Sequence, residues 1–279
     1  MPAFYAHYRF GARAIKELKP NIQKIIEDHR ELFDIGTQGP DIFFYYHPLK
    51  KNEVAAYGGK LHDQKVNEFF KRCRKEYAKY PDEKEAMIAY LLGFLAHYTL
   101  DMLGHPYIAK KMEVSKVSHY AIESEFDRHL LATDRNDKGA VSKIVASDYN
   151  AMIIQRFYPE FSKKIVQDSI KGIKRYNEIL LALDPKKAFI LVNIAKRTGI
   201  KDLADHIITS KKNLACLDSD LRLDKLSDKG IKLYKDMALE LIAYINGQSD
   251  LNEMFDHTFD DRDDDIKVFD IEGEKRYEV

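Results

Sequence analysis

From Ala86 to Gly104 the chain runs through 19 predominantly apolar residues, with His97 and Asp101 inside the stretch and His105 one position beyond it. Side chains spaced four apart drift by only about 80° over two steps around a helix, so all three share one face. A carboxylate in an apolar helix costs several kcal/mol unless it is paired, hydrogen-bonded or bound to a metal. Asp101 therefore demands a partner. An ion pair with His97 would satisfy it, but the same pattern recurs: His119 and Glu123, again four apart, follow 14 residues after His105. Imidazole and carboxylate one helical turn apart is how helices present zinc ligands, and His with Asp or Glu but no Cys suits a catalytic rather than a structural ion.

Further candidate ligands lie upstream. Asp41 stands in Gly39-Pro40-Asp41, His62 follows Gly58-Gly59-Lys60-Leu61, and His7 lies near the start. One ion cannot use all of Asp41, His62, His97, Asp101, His105, His119, Glu123 and His7. His97 and His105 are ~12 Å apart along a helix axis, too far for bonds of ~2 Å to a single zinc. At least two ions are implied, with Asp101 free to bridge them. Two ions ~4 Å apart stabilise the attacking and leaving oxygens of a phosphoryl displacement. Pro106 disfavours helical geometry at His105, so that residue is expected to leave the helix end and turn toward a neighbouring ion.

These motifs resemble the bacterial zinc-dependent phospholipase C family, relatives of the single-strand-specific zinc nucleases. The resemblance covers about residues 1 to 135. It is most specific in His97-Tyr-Thr-Leu-Asp101 with the following His-Pro, and in His119-Tyr-Ala-Ile-Glu123. It implies an all-α, multi-helix single domain with a cluster of zinc ions that cleaves phospholipid headgroups. By this likeness Asp41, His62, His97 and Asp101 would hold the first zinc. His105, His119 and Glu123 would hold the second, and His7 with Asp101 the third. The family's counterpart of Asp41 is also proposed as general base, so Asp41 is the catalytic candidate. Secreted members place an amino-terminal Trp on the third ion, and this chain has no Trp. Nitrogen and oxygen ligands also admit other divalent transition metals.

The function expected is a metal-dependent phosphodiesterase in which metal-activated water hydrolyses a phospholipid or another small phosphodiester. Two alternatives stand beside it. One is a nucleotide or nucleic-acid phosphohydrolase on the same metals, or an HD-type enzyme using His62-Asp63, which would leave His119 and Glu123 unexplained. The other is a noncatalytic helical module tied together by structural metal or ion pairs. His29, His47, His129, His206 and His257 read as surface or hydrogen-bonded residues. Phe43, Phe44, Tyr45 and Tyr46 read mostly as core. Cys73, between Arg72 and Arg74, has neighbours that would lower its pKa, but no partner His for nucleophilic work. Gly58-Gly59-Lys60 lacks P-loop spacing.

The elements that must position these residues are helical, because apolar residues recur at three and four and strict alternation is rare. Helices are expected at about 11–32, 52–79, 82–104, 118–133, 138–156, 159–182, 185–197, 200–216 and 225–246, with a structured loop over Gly36 to Gly59. Residues 1–247 form the hydrolase-like helical domain. Residues 248–279 hold 12 acidic and 4 basic residues and read as an acidic, irregular, solvated tail. Its run Asp260, Asp261, Asp263, Asp264, Asp265 lacks the spacing of a calcium loop. Equal numbers of basic and acidic residues, 45 of each, remove the positive field that long nucleic acids require. No signal-like start is evident, Cys73 and Cys216 read as free thiols, and a cytoplasmic location is expected. The 19-residue stretch approaches membrane-spanning length, but His97 and Asp101 favour a buried helix.

Overall fold

The computed structural model describes residues 4–135, 138–200 and 202–260. The chain folds as α1 (Phe4–Ala14), α2 (Pro20–Asp28), α3 (Arg30–Gly36), α4 (Glu53–Asp63), α5 (Val66–Tyr77), α6 (Lys84–Ser115) and α7 (His119–Thr133). It continues through α8 (Asp148–Gln155), α9 (Lys163–Leu180), α10 (Pro185–Arg197) and α11 (Leu217–Ile245). Two-residue strands β1 (Leu181–Ala182) and β2 (Ile208–Thr209) pair in parallel. The all-α reading holds.

The organising element is α6, 32 residues and roughly 48 Å long. Its sequence is apolar on every side, so it has no face that prefers water and becomes the central rod of the fold. Every residue from Ala86 to Gly104 is buried, and α1, α2, α3, α5, α7, α8 and α11 all pack around it. The helix therefore has the length and composition of a membrane span but is enclosed by its own chain.

Pro106 does not end this helix. α6 continues to Ser115, nine residues past the proline, so the expectation that His105 leaves the helix end is corrected. An interior proline costs ~3 kcal/mol through a lost hydrogen bond and a clash. Burial of Pro106, Tyr107 and Ile108 against the core offsets that cost. His105 consequently stays in register with His97 and Asp101.

Other boundaries also differ. The expected helix 11–32 is divided where Pro20 opens α2 at its first turn, and again at His29. The expected helix 52–79 is broken at Gln64 and Lys65. There the C-terminal segment is stitched in: Val66 donates its N–H to the His257 carbonyl, and Phe259 donates to that of His62. Over 200–216 the structure has two short 3-10 turns and β2 in place of a helix. Residues 39–45, expected as loop, form a buried 3-10 turn. The described end of the acidic segment packs on the body, burying Met254, Phe255 and Phe259, while Asp261 to Asp265 lie outside the described residues.

Against the expectation for Cys73, burial pushes its thiol well above the ordinary range. Both cysteines are free and buried.

Helices α3 and α6 touch backbone to backbone. A Cβ on Gly93 would lie 2.2 Å from the Phe33 carbonyl oxygen and 2.9 Å from the Gly36 Cα. Replacing Gly93 with Ala should thus destabilise the protein by about 1–3 kcal/mol in urea unfolding. An unchanged midpoint would show that the two helices can part without cost.

Candidate metal centre

Five elements deliver the candidate side chains. His97, Asp101 and His105 project from successive turns of α6. His119 and Glu123 come from the first turns of α7, which Ser118 caps by accepting the Ala121 N–H. Asp41 comes from the 3-10 turn Gly39–Tyr45, and His62 from the last turn of α4. His7 comes from α1, whose start is fixed when the Asp127 carboxylate accepts the N–H groups of Tyr5 and Ala6 at 3.0 and 2.8 Å. Burial pushes the Asp127 carboxyl up to about 7 in spite of those bonds.

All eight residues fall into three adjoining groups, two of which share His97. These are His7, His97 and Asp101; Asp41, His62 and His97; and His105, His119 and Glu123, with the ligand atoms of each group within 4.8 Å of one another. Asp101 lies between them. Its Oδ1 is 3.1 Å from His7 Nε2 and 3.5 Å from His105 Nε2, and its Oδ2 is 2.9 Å from His97 Nε2. The Asp41 carboxylate meets His62 Nε2 at 3.1 Å, and Glu123 meets His119 Nε2 at 3.1 Å and His105 Nε2 at 3.6 Å. The grouping differs in one respect from that implied by the resemblance: Asp101 joins His7 and His97, while Asp41 and His62 share His97 without it.

The far sides of the imidazoles are as informative as the near sides. His97 donates Nδ1–H to the Thr37 carbonyl, His62 to the Gly58 carbonyl at 2.8 Å, and His105 to the Phe259 carbonyl at 2.9 Å. Each bond places a proton on Nδ1 and turns Nε2 toward the carboxylates, the orientation that metal-ligating histidines adopt. His97 Nε2, although near Asp101, makes no hydrogen bond, so the two atoms point past each other toward shared space. His7 and His97 stack with ring centroids 4.0 Å apart, a poor geometry for two imidazolium cations.

Electrostatics follow from this crowding. Burial would raise the Asp101 carboxyl, but His97, His105 and His7 hold it well below its usual range. Burial likewise opposes ionisation of Glu123, and His119 and His105 overcome it. The Asp41 carboxyl is held low against burial, with His62 and His97 contributing. Burial and the neighbouring His97 lower the pKa of His7. His105 moves the other way: burial is outweighed by Asp101, Asp260 and Glu123, which raise it well above the ordinary value. Three buried carboxylates remain ionised among imidazoles that cannot all be charged together. Nitrogen and oxygen donors, oriented imidazoles and the unpaired Nε2 of His97 suit divalent ions of the zinc class.

Two of the groups, through Asp41 and His62 and through His105 and His119, open onto a cavity of about 730 Å³ whose lining also includes Phe44, Lys116, Tyr120 and Asp260, while His7, His97 and Asp101 lie behind it. Asp63 also lines it but belongs to none of the three groups. Of the four aromatics after Asp41, only Phe44 reaches the cavity, and Phe43 and Tyr45 are core. His129 faces Asp220 at 3.8 Å, and His206 stacks on Tyr120 at 4.1 Å.

Sequence reasoning missed Phe259 and Asp260. The Asp260 carboxylate lies 2.7 Å from His105 Nδ1, and the Phe259 ring packs against His62, His97 and Tyr98. The signal was present as Met254, Phe255 and Phe259, apolar residues at core-like spacing just before the acidic run.

Compared with known proteins, the chain matches a family model described as zinc dependent phospholipase C over residues 6–171, more than half its length. No curated protein and no solved structure matches it.

Two substitutions test the centre. Asp101→Asn should strip bound metal and lower hydrolytic turnover at least about a hundredfold. A variant with full metal by elemental analysis and full turnover refutes the arrangement. Gly39 has φ of +50° and stands against His97, whose ring a Cβ would approach to 2.3 Å. Gly39→Ala should weaken zinc retention against a chelator roughly 10–100-fold by displacing that ring.

Proposed function

Because the chain belongs to the zinc-dependent phospholipase C family, we propose that it is a hydrolase that splits phospholipids, or small phosphodiesters like them, at the centre described above. The observation that carries this reading is that two adjoining donor groups, through Asp41 and His62 and through His105 and His119, open onto one sizeable cavity, with the third group buried behind them. Metals that only tie helices together are closed off by their ligands, whereas catalytic ions keep open positions.

The family's metal is zinc, and Asp41, His62, His97, Asp101, His105, His119, Glu123 and His7 would hold two or three ions. Bound there, zinc supplies Lewis acidity toward a phosphoryl group and lowers the pKa of water toward neutrality. The protein contributes the rest. His97, common to two groups, and Asp101, whose Oδ1 faces both His7 and His105, tie the groups together. Carbonyls of Thr37, Gly58 and Phe259 orient the imidazoles before substrate arrives, so no reorganisation is needed during reaction. Asp41 borders the cavity and stays ionised at neutral pH, so it can take a proton from the attacking water. Water adds its oxygen to phosphorus, the bond from phosphorus to the glycerol oxygen breaks, and the proton removed from the water is returned to that oxygen, so that diacylglycerol and a phosphorylated headgroup leave. Lys116 brings a cationic group to the cavity wall, and Phe44 and Tyr120 bring aromatic faces suited to a quaternary ammonium headgroup.

The test is turnover of a short-chain phosphatidylcholine, dissolved as monomers, by zinc-loaded protein. Release of phosphocholine is expected, to be abolished by chelation and restored by added zinc. Hydrolysis of a mononucleotide in preference to the lipid would move the substrate class to nucleotides. A loaded protein inactive on every phosphodiester would overturn the reading.

A further inference from the structure

Outside the matched region, α10 presents a face that its own fold does not cover. Its inner side, Ala188, Leu191, Val192 and Ala195, packs on a small apolar cluster with Ala182 and Ile207. On the outer side Phe189, Ile190 and Ile194 are 72%, 55% and 53% exposed, and Ile200 just beyond the helix is 51% exposed. At 100° per residue Phe189, Ile190 and Ile194 span about 140° of the helix surface, centred opposite the packed side. Contiguous exposed apolar side chains of this size mark a surface that meets something other than water.

The charges on this face indicate what. Lys186 at one end and Lys196 and Arg197 at the other are exposed on the same side, and α10 holds no acidic residue. Lys187 is drawn away by the carbonyls of Glu178 and Leu181. An apolar patch bracketed by cations fits the surface of an anionic bilayer, with rings and branched chains entering the acyl boundary and ammonium and guanidinium groups meeting lipid phosphates.

Placement links this face to the catalytic cavity. α10 packs on the 3-10 turn Leu203–His206. His206 of that turn stacks on Tyr120, which lines the cavity, as does Asp202 just before it. We propose that α10 and Ile200 form a docking face that seats the protein on an anionic phospholipid bilayer with the cavity beside it. The proposal rests on the phospholipid reading of the site.

Cosedimentation of the full-length, zinc-loaded protein with vesicles tests it, using phosphatidylcholine alone and phosphatidylcholine with about one third phosphatidylserine. Binding to the anionic vesicles, weakened by salt, is expected. The exposed double substitution F189S/I194S should reduce that binding at least about tenfold while turnover of monomeric short-chain substrate is unchanged. A wild type that ignores both vesicles, or a variant that binds as well as wild type, overturns the proposal. So does a wild-type dimer in light scattering that F189S/I194S converts to monomer without any vesicle binding, since a second copy then covers the face. Loss of vesicle binding with soluble turnover intact leaves the hydrolase reading standing. Vesicle binding without turnover of any phosphodiester overturns that reading and leaves the docking face.

Discussion

A carboxylate at the middle of the central helix is the constraint around which this molecule is arranged. Asp101 is 5% exposed, and an ionised acid so placed must be compensated by positive charge. Histidines reach it from its own helix and from α1, and the two on its own helix are held by bonds from Nδ1 to the carbonyls of Thr37 and Phe259 that aim Nε2 at the acid. Protein cations alone compensate such a group badly when the stacked His7 and His97 cannot both be charged. Divalent ions accomplish it with fewer conflicts, and that is why the family assignment and the geometry converge.

Holding three donor groups in register requires unusual continuity of α6. The helix passes through Pro106, accepting a lost hydrogen bond, because Tyr107 and Ile108 gain more from burial than the interruption costs. Glycines achieve the complementary effect from outside. Gly36 and Gly93 let α3 lie directly on α6, and that contact carries the chain into the 3-10 turn where Gly39 clears space for the His97 ring and Asp41 meets His62. The site is thus set by close backbone approach as much as by its polar residues.

The C-terminal segment closes the arrangement. Phe259 supplies both an apolar cover for His62 and His97 and a carbonyl for His105, and its backbone fills the break between α4 and α5. Residues distant in sequence from every candidate ligand complete the environment of the centre, while α10, packed on the 3-10 turn Leu203–His206, is left with an apolar face and cationic ends.

Much of this was legible beforehand because local rules are strong where they apply. The spacing of four in His97, Asp101 and His105, and again in His119 and Glu123, has one meaning on a helix whatever packs around it. An apolar run as long as Ala86 to Gly104 can only be a core rod or a membrane span, and its internal acid argued for the former. Gly39-Pro40-Asp41 and His62 were recognisable as candidates from their residue types alone. What spacing could not decide was anything that depends on contacts between elements. Whether Pro106 ends a helix turns on how much surface the following residues bury. Whether Phe259 and Asp260 float in an acidic tail or seal the centre turns on a hydrogen bond to a carbonyl nearly 200 residues away. Which carboxylate shares which imidazole turns on the crossing of five separate elements. Periodicity is a property of one segment, and these are free-energy differences between packed and unpacked segments, so only the tertiary structure could settle them.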